Sequence, residues 1–348
     1  MDVLQIGSRV ISALHPVFVI AEIGVNHDGS VERALELVDH AARAGADGVK
    51  LQIFNAVRLV HRSGEMAAYQ KQRCQDSDPT TMLRKYELSA AHLARIVRAI
   101  RAAGLVPIAT PFSPEDVAVL REMQLPAVKI ASPDLVNYPL LKSAAGLGVS
   151  MLVSTGAANL DEIDRAAGWL RAWHASLGLL HCVSCYPVAV GDARLCWIGE
   201  LRERYGVPVG YSDHTTEFMA GALAVAQGAC VVEKHLTYDC TATGPDHAAS
   251  ADPEEFARYV GAIRLAERMR GLPGKRVLDI ELDVRQTSRQ SLVAARSLAA
   301  GMTLGEEDLT VQRPGTGLGA AFYPQVLGSR LNRAVEAGVM LQPDMLAR

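Results

Sequence analysis

The chain has 348 residues, of which 49% are hydrophobic and 21% are charged, enough for one large α/β domain and a small second one. Its formal net charge of −3 offers no basic field for nucleic acid, so we expect no nucleic-acid partner. No window approaches about eighteen uninterrupted apolar residues, and residues 1–12 lack the cationic start and apolar core of a signal peptide. We therefore predict a cytoplasmic protein with no membrane span.

The six cysteines are too few for a disulfide framework in a chain of this length. Cys182 and Cys185 have C-x-x-C spacing, but they follow an apolar, strand-like run and do not open a helix. The sequence has no second such pair to complete a zinc site. We therefore favour the reducing cytosol over a redox or zinc role for these residues.

Eight apolar runs alternate with helix-length segments, a pattern typical of parallel strands that are buried on both faces. In chain order they are VFVIAEIG (17–24), DGVKLQIF (47–54), LVPIATP (105–111), AVKIAS (127–132), SMLVSTG (150–156), LGLLHCVS (177–184), VPVGYSD (207–213) and ACVVEKHL (229–236). Eight strand–helix units over this length predict a (β/α)₈ barrel across residues 17–272. Residues 1–16 are interpreted as an N-terminal β-hairpin or lead-in.

The intervening segments carry helix start and stop signals. One helix should begin after Ser30 and end near Gly45, and a second should run from Ser89 to Gly104. Pro114 and Pro253 stand in first turns that are followed by acidic residues. The longest gap between units, 55–88, is rich in polar residues and predicts a loop or lid over one end of the barrel.

The pattern changes after Arg270. Residues 273–285 are interpreted as a linker, and residues 286–348 as a small β domain, because their short segments are divided by Gly, Pro and Asp. A domain of this size has a marginal core and is better explained if it packs on something larger.

Polar side chains concentrate at the carboxyl ends of the predicted strands, which a barrel brings to one rim. The run at 105–111 is the exception. The residues are Glu22, Asn26, His27, Lys50, Gln52, Lys129, Ser132, Asp134, Ser154, Thr155, Ser184, Tyr186, Ser212, Asp213, His214, Glu233, Lys234 and His235. Any one of them alone is more often structural than functional, but their concentration at seven of eight strand ends predicts a site.

Two lysines stand inside apolar runs. Lys50 and Lys129 would be costly to bury without an anionic partner. Together with the nearby hydroxyl groups, they predict a cradle for a phosphate and a carboxylate.

Two histidines end adjacent strands. His214 and His235 could converge on one ion, and imidazole with oxygen partners suits Mn²⁺, with Co²⁺, Fe²⁺ or Zn²⁺ also compatible and Mg²⁺ a weaker fit. The alternative is two unrelated histidines on the rim. Asp213 either orients His214 or caps a helix that begins at Thr215.

Several motifs in order resemble one family. They are AEIGVNHDGS, GVKLQIF, AAYQK, KIASPDLVNYPLL, STGAAN, HCVSCYP, VGYSDHT, VEKHLTYD and GPDHAAS, followed by the tail SLVAARSLAAGMTLGEEDLTVQRPGTGLG. The sequence resembles the N-acetylneuraminate (sialic acid) synthase family, which includes legionaminic and pseudaminic acid synthases. The tail resembles that family's antifreeze-like (SAF, β-clip) domain. The motifs lean towards the sialic and legionaminic branch.

The resemblance implies a domain-swapped homodimer and a set of roles. Metal ligands are His214 and His235; catalytic residues are Glu22, Asp134 and Tyr186; substrate-binding residues are Lys50, Gln52, Lys129, Ser132, Ser154, Ser184, Ser212, Asp246 and Arg313. Arg313 falls on the arginine that reaches the partner subunit's sugar site. Asp134 stands where the family often has Glu, and Ser184 where some members have Asn.

The implied reaction joins phosphoenolpyruvate to an N-acyl amino-sugar aldehyde and gives a nine-carbon 2-keto sugar acid. The implied cofactor is a divalent metal, Mn²⁺ before Mg²⁺ or Co²⁺. The acceptor stays open among N-acetylmannosamine, its 6-phosphate and a diacetamido-trideoxy hexose. The alternatives are another phosphoenolpyruvate–aldehyde barrel, such as a keto-acid phosphate synthase, and a non-catalytic carbohydrate-binding barrel.

Overall fold

The computed structural model describes residues 3–74, 76 and 78–347. The chain divides into two compact units, Met1–Leu272 and Pro273–Arg348. Within the described residues, no helix combines the length and the apolar character needed to cross a membrane.

The first unit contains the eight-stranded parallel barrel that the alternating pattern predicts. Its strands are β3 (Phe18–Glu22), β4 (Gly48–Ile53), β5 (Val106–Pro111), β6 (Ala127–Ile130), β7 (Ser150–Ser154), β8 (Leu177–Cys182), β9 (Val209–Asp213) and β10 (Val231–His235). Neighbours in sequence pair with each other, and β10 pairs with β3 to close the barrel. The predicted fold class is therefore confirmed.

Helices surround the barrel. They are α1 (Val31–Ala44), α5 (Ala90–Ala102), α6 (Pro114–Met123), α7 (Tyr138–Ala145), α8 (Leu160–Ala172), α9 (Trp197–Tyr205), α10 (Ala220–Ala226) and α11 (Pro253–Arg270). Of these, α1, α5, α6 and α11 begin at the predicted signals. The Ser30 and Ser89 side chains accept from backbone N–H groups in the first turns of α1 and α5. Gly45 ends α1 at φ 81°, a backbone conformation that favours glycine.

A short antiparallel hairpin, β1 (Leu4–Ile6) and β2 (Arg9–Ile11), closes the amino end of the barrel. Its Leu4, Ile6 and Ile11 side chains are buried in one cluster with Phe18 and Ile20 of the barrel interior. Apolar side chains therefore fill the interior at this end.

The inward side chains of β3 and β10 change from apolar to charged or polar along the strand, and alternate residues of a strand point to the same face. Val231 of β10 is paired with Phe18 of β3, and both lie in the apolar cluster. Two residues further along both strands, Glu233 is paired with Ile20. The next inward pair is His235 and Glu22. The alternation thus places the charged groups at the carboxyl end.

The described residues of the long segment 55–88, which exclude 75 and 77, lie on the same rim and include the short helices α2 (Ala56–Leu59), α3 (Ala68–Arg73) and α4 (Pro79–Arg84). Met66, Met82 and Tyr86 form a small apolar cluster with Val25, which follows β3. A Cβ on Gly29 would lie 2.3 Å from the Lys85 carbonyl oxygen, so glycine lets the two segments approach. The predicted lid is a folded segment that covers this part of the rim.

The second unit is a small β structure with its own core. Its strands β11 (Ser291–Ala294) and β12 (Leu309–Gln312) are antiparallel, and its helices are α12 (Leu282–Ser288) and α13 (Tyr323–Val326). Leu292, Leu298, Leu331 and Leu341 are among the side chains that form the core.

Candidate active site

A cavity of about 270 Å³ opens at the carboxyl ends of the barrel strands. Residues that are far apart in sequence line this cavity. Ten of the predicted site residues line it: Lys50, Gln52, Lys129, Ser132, Ser154, Tyr186, Ser212, His214, His235 and Asp246. Glu22 is fully buried beside them and contacts Lys50 and Gln52.

Charged side chains form a continuous network in the cavity. Lys50 Nζ lies 2.8 Å from Glu22 Oε2 and 3.2 Å from Glu233 Oε1, and Lys129 Nζ lies 3.8 Å from the same Glu233 oxygen. The Ser212 hydroxyl donates to Glu233 Oε1 at 3.0 Å. Glu233 is therefore the shared counter-ion that allows two ammonium groups to stay inside the barrel.

The pKa values of this network follow from burial and pairing. Burial by itself would raise the pKa of Glu233, but Lys129 and Lys50 lower it to about 2. Burial lowers the pKa of Lys50 to about 8, against the opposing effect of Glu233. Glu233 is therefore ionised at neutral pH, while Lys50 can lose its proton within reach of ordinary alkaline conditions.

Hydroxyl groups line the wall next to the lysines. Ser132 Oγ accepts from the Gly156 backbone N–H at 3.0 Å, and a Cβ on Gly156 would lie 2.8 Å from it and 2.4 Å from Ser184 Oγ. The buried Ser154 and Thr110 hydroxyls have no hydrogen-bond partner among the described residues. Buried polar groups normally have partners, so this wall fits a ligand with several acceptor oxygens.

The two imidazoles lie together, with ring centroids 5.4 Å apart. Tyr186 stacks on His214 at 4.0 Å. His214 Nδ1 lies 2.9 Å from the Val183 carbonyl oxygen, to which it donates, leaving Nε2 as the atom with a lone pair.

The surroundings of His235 also suit a role as a metal ligand. Burial, with the nearby cations, holds the pKa of His235 well below its ordinary value, so the ring is neutral. His235 Nδ1 has no hydrogen bond among the described residues, although Asp246 Oδ2 lies 3.6 Å away. A neutral imidazole at His235 and a second ring nitrogen at His214, beside the Asp246 carboxylate, form a donor set that suits a divalent transition metal.

A second cluster of ligand-type side chains has a structural explanation. The possible ligand atoms of Cys240, Asp252 and Glu255 lie within 4.8 Å of one another. Among the described residues, this is the one group of three His, Cys, Asp or Glu side chains that meets this distance. The Asp252 carboxylate accepts from the Glu254 and Glu255 backbone N–H groups. The Glu255 carboxylate accepts from the Asp252 backbone N–H, and together these bonds form a capping box at the start of α11.

Two predicted residues of the first unit do not line the cavity, and a third belongs to the second unit. Asp134 does not line it, and its carboxylate accepts from the Asn137 side chain at 3.0 Å. Ser184 lines a neighbouring cavity between α8 and α9, although its hydroxyl approaches Gly156 next to Ser132. Arg313 belongs to the second unit, where it is exposed directly after β12. The roles of these three residues stay predictions.

Asp213 makes no direct hydrogen bond to the ring of His214. Its carboxylate accepts from the Thr215 backbone N–H at 2.8 Å and from the Tyr259 hydroxyl at 2.8 Å. No helix begins at Thr215 in the described residues, since α10 begins at Ala220, so Asp213 caps a turn. The ring of His214 is held by the Val183 carbonyl.

Glu233, Thr110 and Cys182 line the cavity and were given no role in the candidate set from the sequence. Glu233 was visible as an acid at a strand end, and an acid there was needed to balance two buried lysines. Thr110 belongs to β5, the strand that showed no rim group. The Cys182 thiol lies 3.8 Å from His214 Nδ1. Cys182 and Thr110 both line the cavity, and alternation along their strands predicts that they point inward.

A closed barrel with buried acids, lysines and imidazoles on its carboxyl rim has the architecture of a TIM-barrel enzyme. Comparison with known families agrees, because residues 37–275 match the NeuB family and residues 289–347 match the SAF domain. The chain belongs to the NeuB family.

Two of the similar proteins carry names of sialic-acid-type synthases, and a third is named for spore coat polysaccharide biosynthesis. The N,N'-diacetyllegionaminic acid synthase of Legionella pneumophila is 38% identical over 93% of this chain and 93% of its own length. The crystal structure of N-acetylneuraminic acid (sialic acid) synthetase from Leptospira borgpetersenii, in complex with citrate, is 31% identical with a TM-score of 0.74, covering 81% of this chain and 95% of that one. A putative spore coat polysaccharide biosynthesis protein E from Chromobacterium violaceum is 27% identical with a TM-score of 0.83, covering 95% and 100%.

Replacing Glu233 with Gln tests the charge network. Glu233→Gln removes the counter-ion of two buried ammonium groups, so we expect the free energy of unfolding at pH 7 to fall by about 3 kcal/mol in denaturant titrations. Because the pKa of Glu233 is lowered from 4.5 to about 2, its contribution is present above pH 4.5 and is lost as the pH falls through about 2. The difference between variant and wild type should shrink in that range.

The control is Glu65→Gln, which removes an exposed ion pair with Lys71. We expect no measurable change in stability from it. Equal stability of Glu233→Gln and the wild-type protein would mean that Glu233 does not balance the lysines.

Proposed function

We propose that this protein condenses phosphoenolpyruvate with the open-chain aldehyde of an N-acyl amino sugar, with water, to give a nine-carbon 2-keto sugar acid and phosphate. The observation that carries the proposal is the cavity in which Lys50 and Lys129 face buried hydroxyls beside two imidazoles. The names of the relatives, which include N,N'-diacetyllegionaminic acid synthase and N-acetylneuraminate-9-phosphate synthase, support the same reaction class.

Phosphoenolpyruvate would bind along the wall formed by the lysines and hydroxyls. The ammonium groups of Lys50 and Lys129 would pair with its carboxylate and phosphate oxygens. The hydroxyls of Ser132, Ser154 and Ser212 would donate to the same oxygens, with Ser184 at the edge. Gln52, which donates to Glu22 at 3.2 Å, would orient that carboxylate beside the substrate.

The metal would lie between the imidazoles. His214 through Nε2 and His235 would hold a divalent ion, Mn²⁺ before Co²⁺ or Mg²⁺. When bound, the ion supplies Lewis-acid polarisation of the acceptor carbonyl. Tyr186, stacked on His214, would fix that ring against the sugar, and Asp246 would accept hydrogen bonds from the sugar.

The reaction balances with the groups at hand. C3 of phosphoenolpyruvate bonds to the aldehyde carbon, whose oxygen takes a proton. Water adds to C2 and loses a proton, and the C2–O bond breaks to release phosphate. The positive charge that develops at C2 needs a nearby carboxylate, and Glu22 is better placed than Asp134 because it contacts Lys50 at the cavity. Glu22 would also transfer the protons.

We further propose that the protein acts as a domain-swapped homodimer in the cytoplasm. The segment before β11 exposes Val277, Leu278, Ile280, Leu282 and Val284, a concentration of apolar surface that favours a protein partner. The guanidinium of Arg313 forms no ion pair among the described residues. In the dimer it would donate hydrogen bonds to the N-acyl group of a sugar bound in the other subunit's barrel.

The alternatives have less support. Assignment as a keto-acid phosphate synthase would leave the SAF domain at 289–347 unexplained. A non-catalytic carbohydrate-binding barrel would not need two lysines buried at a cost beside unpartnered hydroxyls.

Phosphate release from phosphoenolpyruvate tests the proposed function. The acceptors are N-acetylmannosamine, its 6-phosphate and a 2,4-diacetamido-2,4,6-trideoxy hexose, each with chelator-treated protein before and after Mn²⁺ addition. We expect release with at least one acceptor and only with metal, and a loss of about a hundredfold or more in His214→Ala.

The matched control is His92→Ala, an exposed histidine of α5, which should retain full turnover. No phosphate release with any acceptor would reject the synthase assignment. Activity with an aldose phosphate that lacks an N-acyl group, and not with the panel, would favour a keto-acid phosphate synthase.

The lowered pKa of Lys50 predicts how substrate binding depends on pH. Because burial lowers this pKa to about 8, the ammonium charge that attracts the anion is lost as the pH rises through that value. We expect the dissociation constant of phosphoenolpyruvate, measured by calorimetry, to increase about tenfold per pH unit above 8. Lys50→Arg keeps its charge throughout and should lack this transition. A flat profile in the wild type would show that Lys50 is not the titrating anion-binding group.

Mixed dimers test the position of Arg313. Chains with Arg313→Ala and chains with His214→Ala should each be impaired alone. When the two are co-expressed, a swapped arrangement builds one complete site in each mixed dimer and restores about a quarter of wild-type turnover. Mixing wild-type chains with a double variant gives the reference value for subunit exchange. If Arg313 acted within its own subunit, co-expression would restore nothing.

A further inference from the structure

A buried ion pair joins β9 and β10 on the outer face of the barrel, away from the cavity. Asp213 and Lys234 are directly paired in the parallel register of these strands. Lys234 Nζ lies 3.6 Å from Asp213 Oδ2, and the two side chains are 3% and 0% exposed. Neither side chain lines the catalytic cavity, and the proposed reaction does not use them.

Each member of the pair immediately precedes one of the two imidazoles in sequence. His214 follows Asp213, and His235 follows Lys234. Successive residues of a strand point to opposite faces, so a contact on the outer face fixes the spacing of the side chains that come next on the inner face. The register therefore connects the ion pair to the 5.4 Å separation of the two rings.

Lys234 also holds the backbone on the far side of His214. Its ammonium group donates to the Thr215 carbonyl oxygen, and the Thr215 N–H in turn donates to Asp213 Oδ1 at 2.8 Å. One buried cation thus contacts the residue before His214 and the residue after it. The peptide that carries this ring is restrained from both ends.

Tyr259 of α11 completes the arrangement from the outside. Its hydroxyl donates to Asp213 Oδ2 at 2.8 Å, and Lys234 Nζ lies 5.7 Å from its ring centroid. A Cβ on Gly221 would lie 2.6 Å from Tyr259 Cζ, so a glycine in α10 leaves the space that the ring occupies. Burial, together with Asp213, raises the pKa of Tyr259 well above its ordinary value, which keeps the hydroxyl a donor.

We propose that Asp213, Lys234 and Tyr259 form a positioning clamp that sets the distance between His214 and His235 for one divalent ion. The inference rests on the proposed metal role of the two imidazoles. His235 needs such support because its Nδ1 has no hydrogen bond among the described residues, whereas His214 is oriented by the Val183 carbonyl. Metal ligands must be held within about 0.5 Å of the productive geometry, and strand placement supplies that restraint.

The experiment measures metal binding rather than turnover. Co²⁺ and Mn²⁺ are titrated into four chelator-treated proteins: the wild type, Lys234→Met, Tyr259→Phe and His214→Ala. Calorimetry gives the metal dissociation constant, and the absorption spectrum of bound Co²⁺ reports its ligand field. We expect Lys234→Met to bind at least about tenfold more weakly with an altered Co²⁺ spectrum, and Tyr259→Phe, which keeps its ring packing, to shift both in the same direction by less. His214→Ala marks the loss of a ligand itself.

Arg264→Met is the matched control. Arg264 also lies on α11 and pairs with a half-buried carboxylate, that of Asp47, at 2.6 Å. This pair lies next to the amino ends of β3 and β4, where Arg264 also donates to the Val17 carbonyl. We expect this variant to lower the thermal midpoint without changing the metal dissociation constant.

The outcomes separate the two levels of the argument. Wild-type binding that is lost in His214→Ala but unchanged in both Lys234→Met and Tyr259→Phe would overturn the clamp and leave the metal role intact. Absence of binding in the wild-type protein would overturn the metal role and the clamp with it. Equal weakening in Arg264→Met would mean that general stability, and not positioning, controls the affinity, and would also overturn the clamp.

Discussion

The carboxylate of Glu233, shared between Lys50 and Lys129, is the interaction on which the candidate site depends. Two ammonium groups inside a barrel are unfavourable unless an anion balances them, and a carboxylate at the same depth does so. Glu22 supplies a second negative charge against Lys50. The cavity therefore stays close to neutral before any ligand enters, and an anionic ligand would have to share the ammonium groups with these carboxylates.

The barrel explains why these charges can be tolerated in one place. Apolar side chains from the hairpin and the first inward positions fill the amino end, so that the hydrophobic core and the polar site share one interior without mixing. The change occurs within a few residues of each strand. Phe18 and Ile20 precede Glu22 on β3, and Val231 precedes Glu233 and His235 on β10. The same alternation directs Asp213 and Lys234 outward, beside α11, where they contact each other instead of a ligand.

Part of the site could be predicted from residue types alone. Lysines within apolar runs indicated an anion site, and histidines at the ends of adjacent strands indicated a pair of imidazoles. The roles of Asp134 and Arg313 came from resemblance: Asp134 does not line the cavity, and Arg313 belongs to the second unit. Glu233 was recognised as an acid of the rim but given no role, and Thr110 was not recognised, because their inward direction follows only when strand alternation is combined with the closure of the barrel.

The sequence by itself determined the number of strand–helix units, the caps of the main helices and the end of the barrel at which polar groups collect. These features depend on local periodicity and on residues next to each other in the chain. Only the tertiary structure decided which carboxylate balances which lysine, that Val183 and not Asp213 is hydrogen-bonded to the ring of His214, and that Lys234 reaches the Thr215 carbonyl. Such pairings join segments that are distant in sequence, and they are fixed by strand register and barrel closure, which no local pattern records.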